Sequence, residues 1–111
     1  MRPKKLHCEV EDLLNLIGGR WKVLLLRQLA EGPGRHGRLL RALSGITQKI
    51  LTQRLRELES QGLLQRRAFL EGRVKVVEYS LTEWGIEVMQ IVARMHEWAM
   101  VNRESLSRSQ H

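Results

Sequence analysis

Five side chains within a short stretch, Gln48, Lys49, Thr52, Gln53 and Arg56, are of the types that read nucleic-acid bases. A glutamine amide can bond adenine through two hydrogen bonds, arginine or lysine can reach the acceptors of guanine, and threonine offers a hydroxyl together with a methyl for thymine. Their spacing matters as much as their chemistry. Stepped at about 100° per residue, residues 47–60 put these five on one side of a helix with Glu59 and Ser60, and put Ile50, Leu51, Leu55 and Leu58 on the other. An ordinary solvated face uses the same residue types, so the surroundings must decide between the two readings. Arg54 breaks the pattern, because it projects between Ile50 and Leu58. A largely buried, structural guanidinium is expected there, matched by Glu11, Asp12 or Glu57.

Cations flank this stretch on both sides. Arg35, Arg38 and Arg41 precede it, and Arg66, Arg67, Arg73 and Lys75 follow it. Arg35, Arg38, Arg73 and Lys75, with the hydroxyl of Thr47, are the expected phosphate contacts, which position a protein on a duplex without selecting its sequence. Strand arginines can also simply guard a sheet edge. The formal net charge is +7, and its distribution is uneven: residues 20–75 hold 13 Lys or Arg against 4 Asp or Glu, residues 1–19 hold 3 and 3, and residues 76–111 hold 3 and 5. A basic centre between neutral and acidic ends assigns the polyanion to the middle of the chain and leaves the ends for another task, such as pairing subunits.

The elements that must position these groups follow from periodicity. Val10, Leu13, Leu14 and Ile17 predict a helix over residues 9–17, closed by Gly18-Gly19. A second helix is expected from Trp21 to Ala30, and after Gly32-Pro33-Gly34 a short third from Arg35 to Leu43. Thr47 is placed to cap a fourth, Gln48 to about Gln61, with Ile46 stapled onto Leu51 and Gly62 as the stop. Leu63–Leu70 and Val74–Leu81 around Glu71-Gly72-Arg73 read as a β-hairpin. Thr82 caps a last helix, residues 82–104, whose Trp84, Val88, Ile91, Val92, Met95, Trp98 and Ala99 form a stripe close to a heptad. Only the first six residues and the serine-rich end from about Ser105 read as frayed. The chain is therefore expected as one mainly α domain over 1–111 with an ordered core from 8 to 104. A helix-turn-helix would occupy 35–61 and a β-hairpin wing 63–81, the plan of a winged helix-turn-helix.

Other chemistries find little support. No oxyanion-loop or phosphate-loop motif and no paired carboxylates suggest an enzyme, and no cofactor is expected. His7, Cys8, His36 and His96 lack metal-ligand spacing. A single cysteine excludes an intrachain disulfide, and neither a long apolar run nor a leader is read, so a cytoplasmic compartment and no membrane partner are expected. The apolar stripe of the last helix, too broad for a small domain to cover, points to a homodimer. A winged helix that binds another protein instead of DNA remains an alternative, since the fold alone does not fix function.

From Cys8 to about Trp98 the chain resembles the HxlR family of bacterial winged-helix regulators, themselves similar to the MarR group. The resemblance is carried by Cys8-x-Val10, Ile17-Gly18-Gly19-Arg20-Trp21, Gly45-Ile46-Thr47-Gln48-Lys49-x-Leu51-Thr52-x-Arg54-Leu55-Arg56-x-Leu58-Glu59, Gly62-Leu63 and Val77-Glu78-Tyr79-Ser80-Leu81-Thr82-x-x-Gly85. It implies a homodimer built on the first and last helices through Val10, Leu13, Leu14, Trp84, Val88, Ile91, Met95 and Trp98. It also implies a double-stranded operator with dyad symmetry, a repressor as the usual role, and a cysteine at the position of Cys8 that in several relatives answers oxidants or electrophiles. Lys4 and Lys5 beside Cys8 favour its thiolate, whereas Glu9 and Glu11 oppose it. Control by a small ligand without redox sensing is the alternative. The chain departs from the family pattern at Glu9, where proline is usual, at His36 and Arg38, where phenylalanine and an acidic residue are usual, and at Glu71-Gly72-Arg73, where the wing usually carries prolines.

Overall fold

The computed structural model describes residues 8–109. Its elements run α1 (Glu9–Ile17), α2 (Arg20–Leu29), β1 (Gly34–Arg35), α3 (His36–Ala42), α4 (Gln48–Ser60), β2 (Leu64–Glu71), β3 (Val74–Leu81), α5 (Glu83–Val101) and α6 (Arg103–Ser109). This is a winged helix-turn-helix. Seven leucines, Leu25, Leu26, Leu39, Leu51, Leu55, Leu58 and Leu63, are completely buried and join α2, α3, α4 and the start of the hairpin around one core.

Both ends of α4 are locked by local chemistry. At its start the Thr47 hydroxyl oxygen accepts from the Ile50 amide at 3.1 Å, and Ile46 and Leu51 are both buried on either side of the cap. At its end the Gly62 amide donates to the Glu59 carbonyl and the Leu63 amide to the Leu58 carbonyl, both at 3.0 Å. That pair of bonds requires a left-handed residue, supplied by Gly62 at φ 81, and it brings the buried Leu63 and Leu58 together. Thr82 then carries the chain from wing to α5. Its hydroxyl accepts from the Gly85 amide at 3.0 Å and donates to the Gly62 carbonyl at 2.6 Å, while its own amide donates to the Leu63 carbonyl.

Three features differ from the sequence expectation. Residues Gly34–Arg35 leave the third helix and pair with Tyr79 and Glu78 of β3, so the wing is a three-stranded antiparallel sheet in the order β1-β3-β2. The hairpin loop shrinks to Gly72-Arg73, because Glu71 and Val74 are already paired. The serine-rich end is helical: α5 stops at Asn102, whose side-chain amide donates to the Trp98 carbonyl at 2.9 Å, and α6 continues to Ser109 with Glu104 and Arg108 an i,i+4 pair at 3.9 Å. Acid before base along a helix favours the helix ends as well as the pair.

Candidate nucleic-acid interface

The fourth helix divides as its projection requires. Leu51, Leu55 and Leu58 are buried, Ile50 is half-buried, and Gln48, Lys49, Gln53 and Arg56 are exposed, with Thr52 half-buried among them. These five polar residues line one open surface depression, joined by Glu57. The expected base-contacting set is thus gathered on a single accessible face. Thr52 is held from outside the helix: its Oγ1 lies 3.1 Å from Nε2 of His36 on α3, a contact not visible in the sequence.

Glu57 would place a negative charge at the edge of this face, but two cations meet it from the core side. Arg54 Nη1 lies 2.9 Å from Glu57 Oε1, and Lys22 Nζ from α2 lies 3.8 Å away. Of the three acids expected as partners for Arg54, Glu57 is the one used. Arg54 is half-buried rather than largely buried, its side chain keeping 28% exposure. The deeply buried cation is Lys22, at 7%, which sequence reading missed. Its ammonium donates to the Leu16 carbonyl and to Gln61 Oε1, each at 3.3 Å. Lys22 therefore ties α1, α2 and α4 together beneath the exposed face.

Glu57→Ala leaves two cations without their acid, one of them buried, whereas Lys22→Met removes the buried charge and keeps the Arg54–Glu57 pair. We expect Glu57→Ala to lower stability by about 1–2 kcal/mol, moderated by the exposure of the carboxylate, and Lys22→Met to stay within about 1 kcal/mol of the parent. Urea unfolding of both variants checks the order, and a Lys22→Met chain less stable than Glu57→Ala contradicts it.

Pairing in the wing fixes which side each cation occupies, since partners across a ladder share a face. Leu64, Arg66, Ala68 and Leu70 lie with Leu81, Tyr79, Val77 and Lys75, and Leu64, Tyr79, Val77 and Leu81 of this face pack into the core. The other face carries Arg67, Phe69, Glu71, Val76 and Glu78 together with Arg35 of β1. Here Arg35 bonds Glu71 through both guanidinium nitrogens, at 2.9 and 3.4 Å, and Arg67 lies over the Phe69 ring at 4.6 Å with Arg35 also above it at 6.0 Å. The hydrogen bond first, and then the charge of Arg35, hold the Glu71 carboxyl below the usual carboxylate range, and Glu71 raises Arg35 in return. The clasp is therefore intact at neutral pH and opens only as pH falls through that lowered range.

Arg35, expected as a phosphate contact, is thus committed to the wing tip. Lys49, Arg56, Arg38, Arg73 and Lys75 form no ion pair among the described residues. Arg38 and Arg41 line a shallow pocket with Pro33, Arg35, Gly37 and Glu78 beside the sheet. Thr47 is exposed, and its hydroxyl hydrogen is still available once the oxygen has capped α4.

Away from this face lies a large apolar surface. Trp84, Ile91, Met95 and Trp98 are 62, 46, 50 and 60% exposed on α5, and Val10 and Leu14 are 61 and 48% exposed on α1. The other residues expected in a subunit interface, Leu13 and Val88, are half-buried against the chain's own core. Val92, which the apolar stripe included, is buried in that core at 5%, and Ala99 is half-buried. Cys8 is exposed immediately before α1. Lys4, Lys5 and His7 lie outside the described residues. Among the described residues no cluster of three or more His, Cys, Asp or Glu could hold a metal, and no helix is long and apolar enough to cross a membrane.

A sequence model described as HxlR-like helix-turn-helix matches residues 16–107. The uncharacterized HTH-type transcriptional regulator YybR of Bacillus subtilis is 42% identical over 104 residues, covering 94% of this chain and 82% of YybR. Among solved structures, the redox regulator HypR in its reduced form superposes with a TM-score of 0.85 at 40% identity, over 91% of this chain and 99% of HypR. The reduced form of the transcriptional regulator YodB from B. subtilis does so with a TM-score of 0.75 at 32% identity, over 86% of this chain and 92% of YodB.

Proposed function

The chain belongs to the HxlR-like helix-turn-helix family of DNA-binding transcriptional regulators, which are not enzymes, and from that premise we propose that it acts in the cytoplasm as a homodimeric repressor on a two-fold operator. The observation that carries this reading is the gathering of Gln48, Lys49, Thr52, Gln53 and Arg56 on one exposed face of α4. These residues contact base edges, while Arg38, Thr47, Arg73 and Lys75 contact phosphates, and Arg35 contributes mainly by fixing the wing. The unpartnered apolar face of α1 and α5 supports pairing of two copies, which would set two α4 helices about 34 Å apart, one turn of duplex. A dimer seated over a promoter blocks transcription.

Protection of duplex DNA upstream of its own gene, followed by binding to the protected site, tests the reading. Arg56→Ala is expected to lose about 1–3 kcal/mol at one base pair and to relax selection there, whereas Lys75→Ala weakens all duplexes alike and flattens the salt dependence by about one unit. Binding without palindrome preference and without salt dependence would instead favour an interaction module.

Thiol control through Cys8 is the second part of the reading. It is supported by the exposure of the thiol and by likeness to the redox regulator HypR and to YodB, of which a diamide-treated form has been solved. With no second cysteine in the chain, modification would proceed by alkylation, by a mixed disulfide, or by a bond between Cys8 of two subunits. Diamide should release the operator from the parent protein and not from Cys8→Ser; release from both removes the thiol from the scheme and leaves a small-ligand effector.

A further inference from the structure

His36 opens α3 and Thr52 lies midway along the exposed face of α4, and their side chains meet at 3.1 Å. Both are half-buried, so water competes weakly for the contact. A hydroxyl has one hydrogen to give and lone pairs to receive, and an imidazole nitrogen gives or receives according to its tautomer. The role that Nε2 takes therefore decides what Thr52 can still offer to an approaching base. If Nε2 donates, the Thr52 hydrogen is free and suits an acceptor edge: guanine N7 or O6, adenine N7, or thymine O4. If Nε2 accepts, that hydrogen is consumed and the remaining lone pair suits the amino groups of adenine or cytosine.

We infer that His36 is a positioning residue that sets the hydrogen-bond polarity of Thr52 and so selects the base edge this position accepts. The inference rests on the proposed reading of α4 as the base-reading helix. Proton uptake sharpens the choice, because an imidazolium carries hydrogen on both nitrogens and can only donate. The ionisable groups on the elements packed around His36 are Lys49, Arg54, Arg56, Glu57 and Glu59 on α4, Glu78 and Lys75 on β3, and Arg20, Lys22 and Arg27 on α2, with Arg35, Arg38 and Arg41 on its own segment. Carboxylates, lysines and arginines ordinarily change charge outside the neutral window, so a change within it reports a histidine. His96, the other histidine among the described residues, sits beside Arg27 at 3.3 Å on α5 and is controlled for by the variants below.

The test is selection of duplexes from a randomised half-site at about pH 6 and about pH 8, on either side of the ordinary imidazole range. For the parent protein, preference for acceptor over amino edges at the position read by Thr52 should rise about fivefold at the lower pH, the worth of one net hydrogen bond. His36→Phe and Thr52→Val should each hold that preference constant with pH, and His36→Gln, which keeps a polar amide but does not titrate, serves if His36→Phe fails to fold. A parent preference that does not move with pH, or one that moves equally in Thr52→Val or His36→Phe, overturns the inference. If Thr52→Val alters selection but pH does not, only the inference falls. If no sequence is selected, or Thr52→Val selects the same base at every position, the reading of α4 falls and the inference falls with it.

Discussion

Ile91→Glu is expected to leave the chain folded but monomeric, and to lower its affinity for a two-fold operator by about 10²- to 10⁴-fold through loss of the second reading head. The expectation begins with area. Trp84, Ile91, Met95 and Trp98 recur along α5 at intervals of three, four and seven, with Ile91 near the middle, and all four remain about half exposed or more. Burying such a side chain is worth about 1.5–3 kcal/mol, so a surface of this kind left to water forgoes a large stabilisation. In α1 only Ile17 is buried, which leaves Val10 and Leu14 to extend the same need. A carboxylate at residue 91 would have to be desolvated opposite apolar side chains, and near its own copy if the pairing is two-fold, without a partner charge. Ile86→Glu is the control: Ile86 is similarly exposed at 47%, but five steps of about 100° turn it well away from Ile91. Sedimentation should report a monomer for Ile91→Glu and a dimer for Ile86→Glu, with similar helical signal in both. A dimeric Ile91→Glu protein would remove α5 from the interface.

The parts of this molecule that were legible in the sequence are those governed by short-range rules. The reading face of α4 followed from helical period, its two ends from Thr47 and Gly62, and the inward setting of Arg54 from the same projection. What stayed hidden depends on long-range pairing. Lys22 lies in a helix that periodicity describes by its leucines, and its burial makes sense only when Gln61 and Glu57, far along the chain, arrive beside it. Arg35 was read as a free cation because nothing local brings Glu71 to it; that requires β1 to join β3 and the hairpin to end at Gly72-Arg73. The contact between His36 and Thr52 has the same origin, in the packing of α3 on α4. The end of the chain failed for a different reason. Its serines suggested fraying, yet they sit between Glu104 and Arg108, whose order suits a helix, and the Ser109 hydroxyl donates to the Ser105 carbonyl at 2.9 Å.

Gly85→Ala is expected to destabilise the chain by about 3 kcal/mol, the upper part of the range for forcing atoms into a packed site, and to lower Tm by more than about 10 °C. Gly85 is buried in the first turn of α5, where a methyl group would overlap the Leu63 carbonyl oxygen and come within 3.2 Å of Leu81 Cδ2. The oxygen belongs to backbone and cannot swing aside. It is also held in place, because it accepts the Thr82 amide at 3.0 Å, and the neighbouring Gly62 carbonyl accepts the Thr82 hydroxyl. Relief therefore requires α5 to lift from the junction of α4 and the wing, weakening the Thr82 cap and the packing of Val92 together. Gly37→Ala separates this close approach from the general preference of helices for alanine. Gly37 is exposed in α3, and a methyl group there meets only the end of the Arg41 side chain at 3.5 Å, so that substitution should stabilise by about 0.5–1 kcal/mol. Thermal unfolding of the two variants should move in opposite directions. A Gly85→Ala chain melting with the parent would mean that α5 shifts cheaply, and that the joint between reading head and subunit interface is soft enough to let half-site spacing vary.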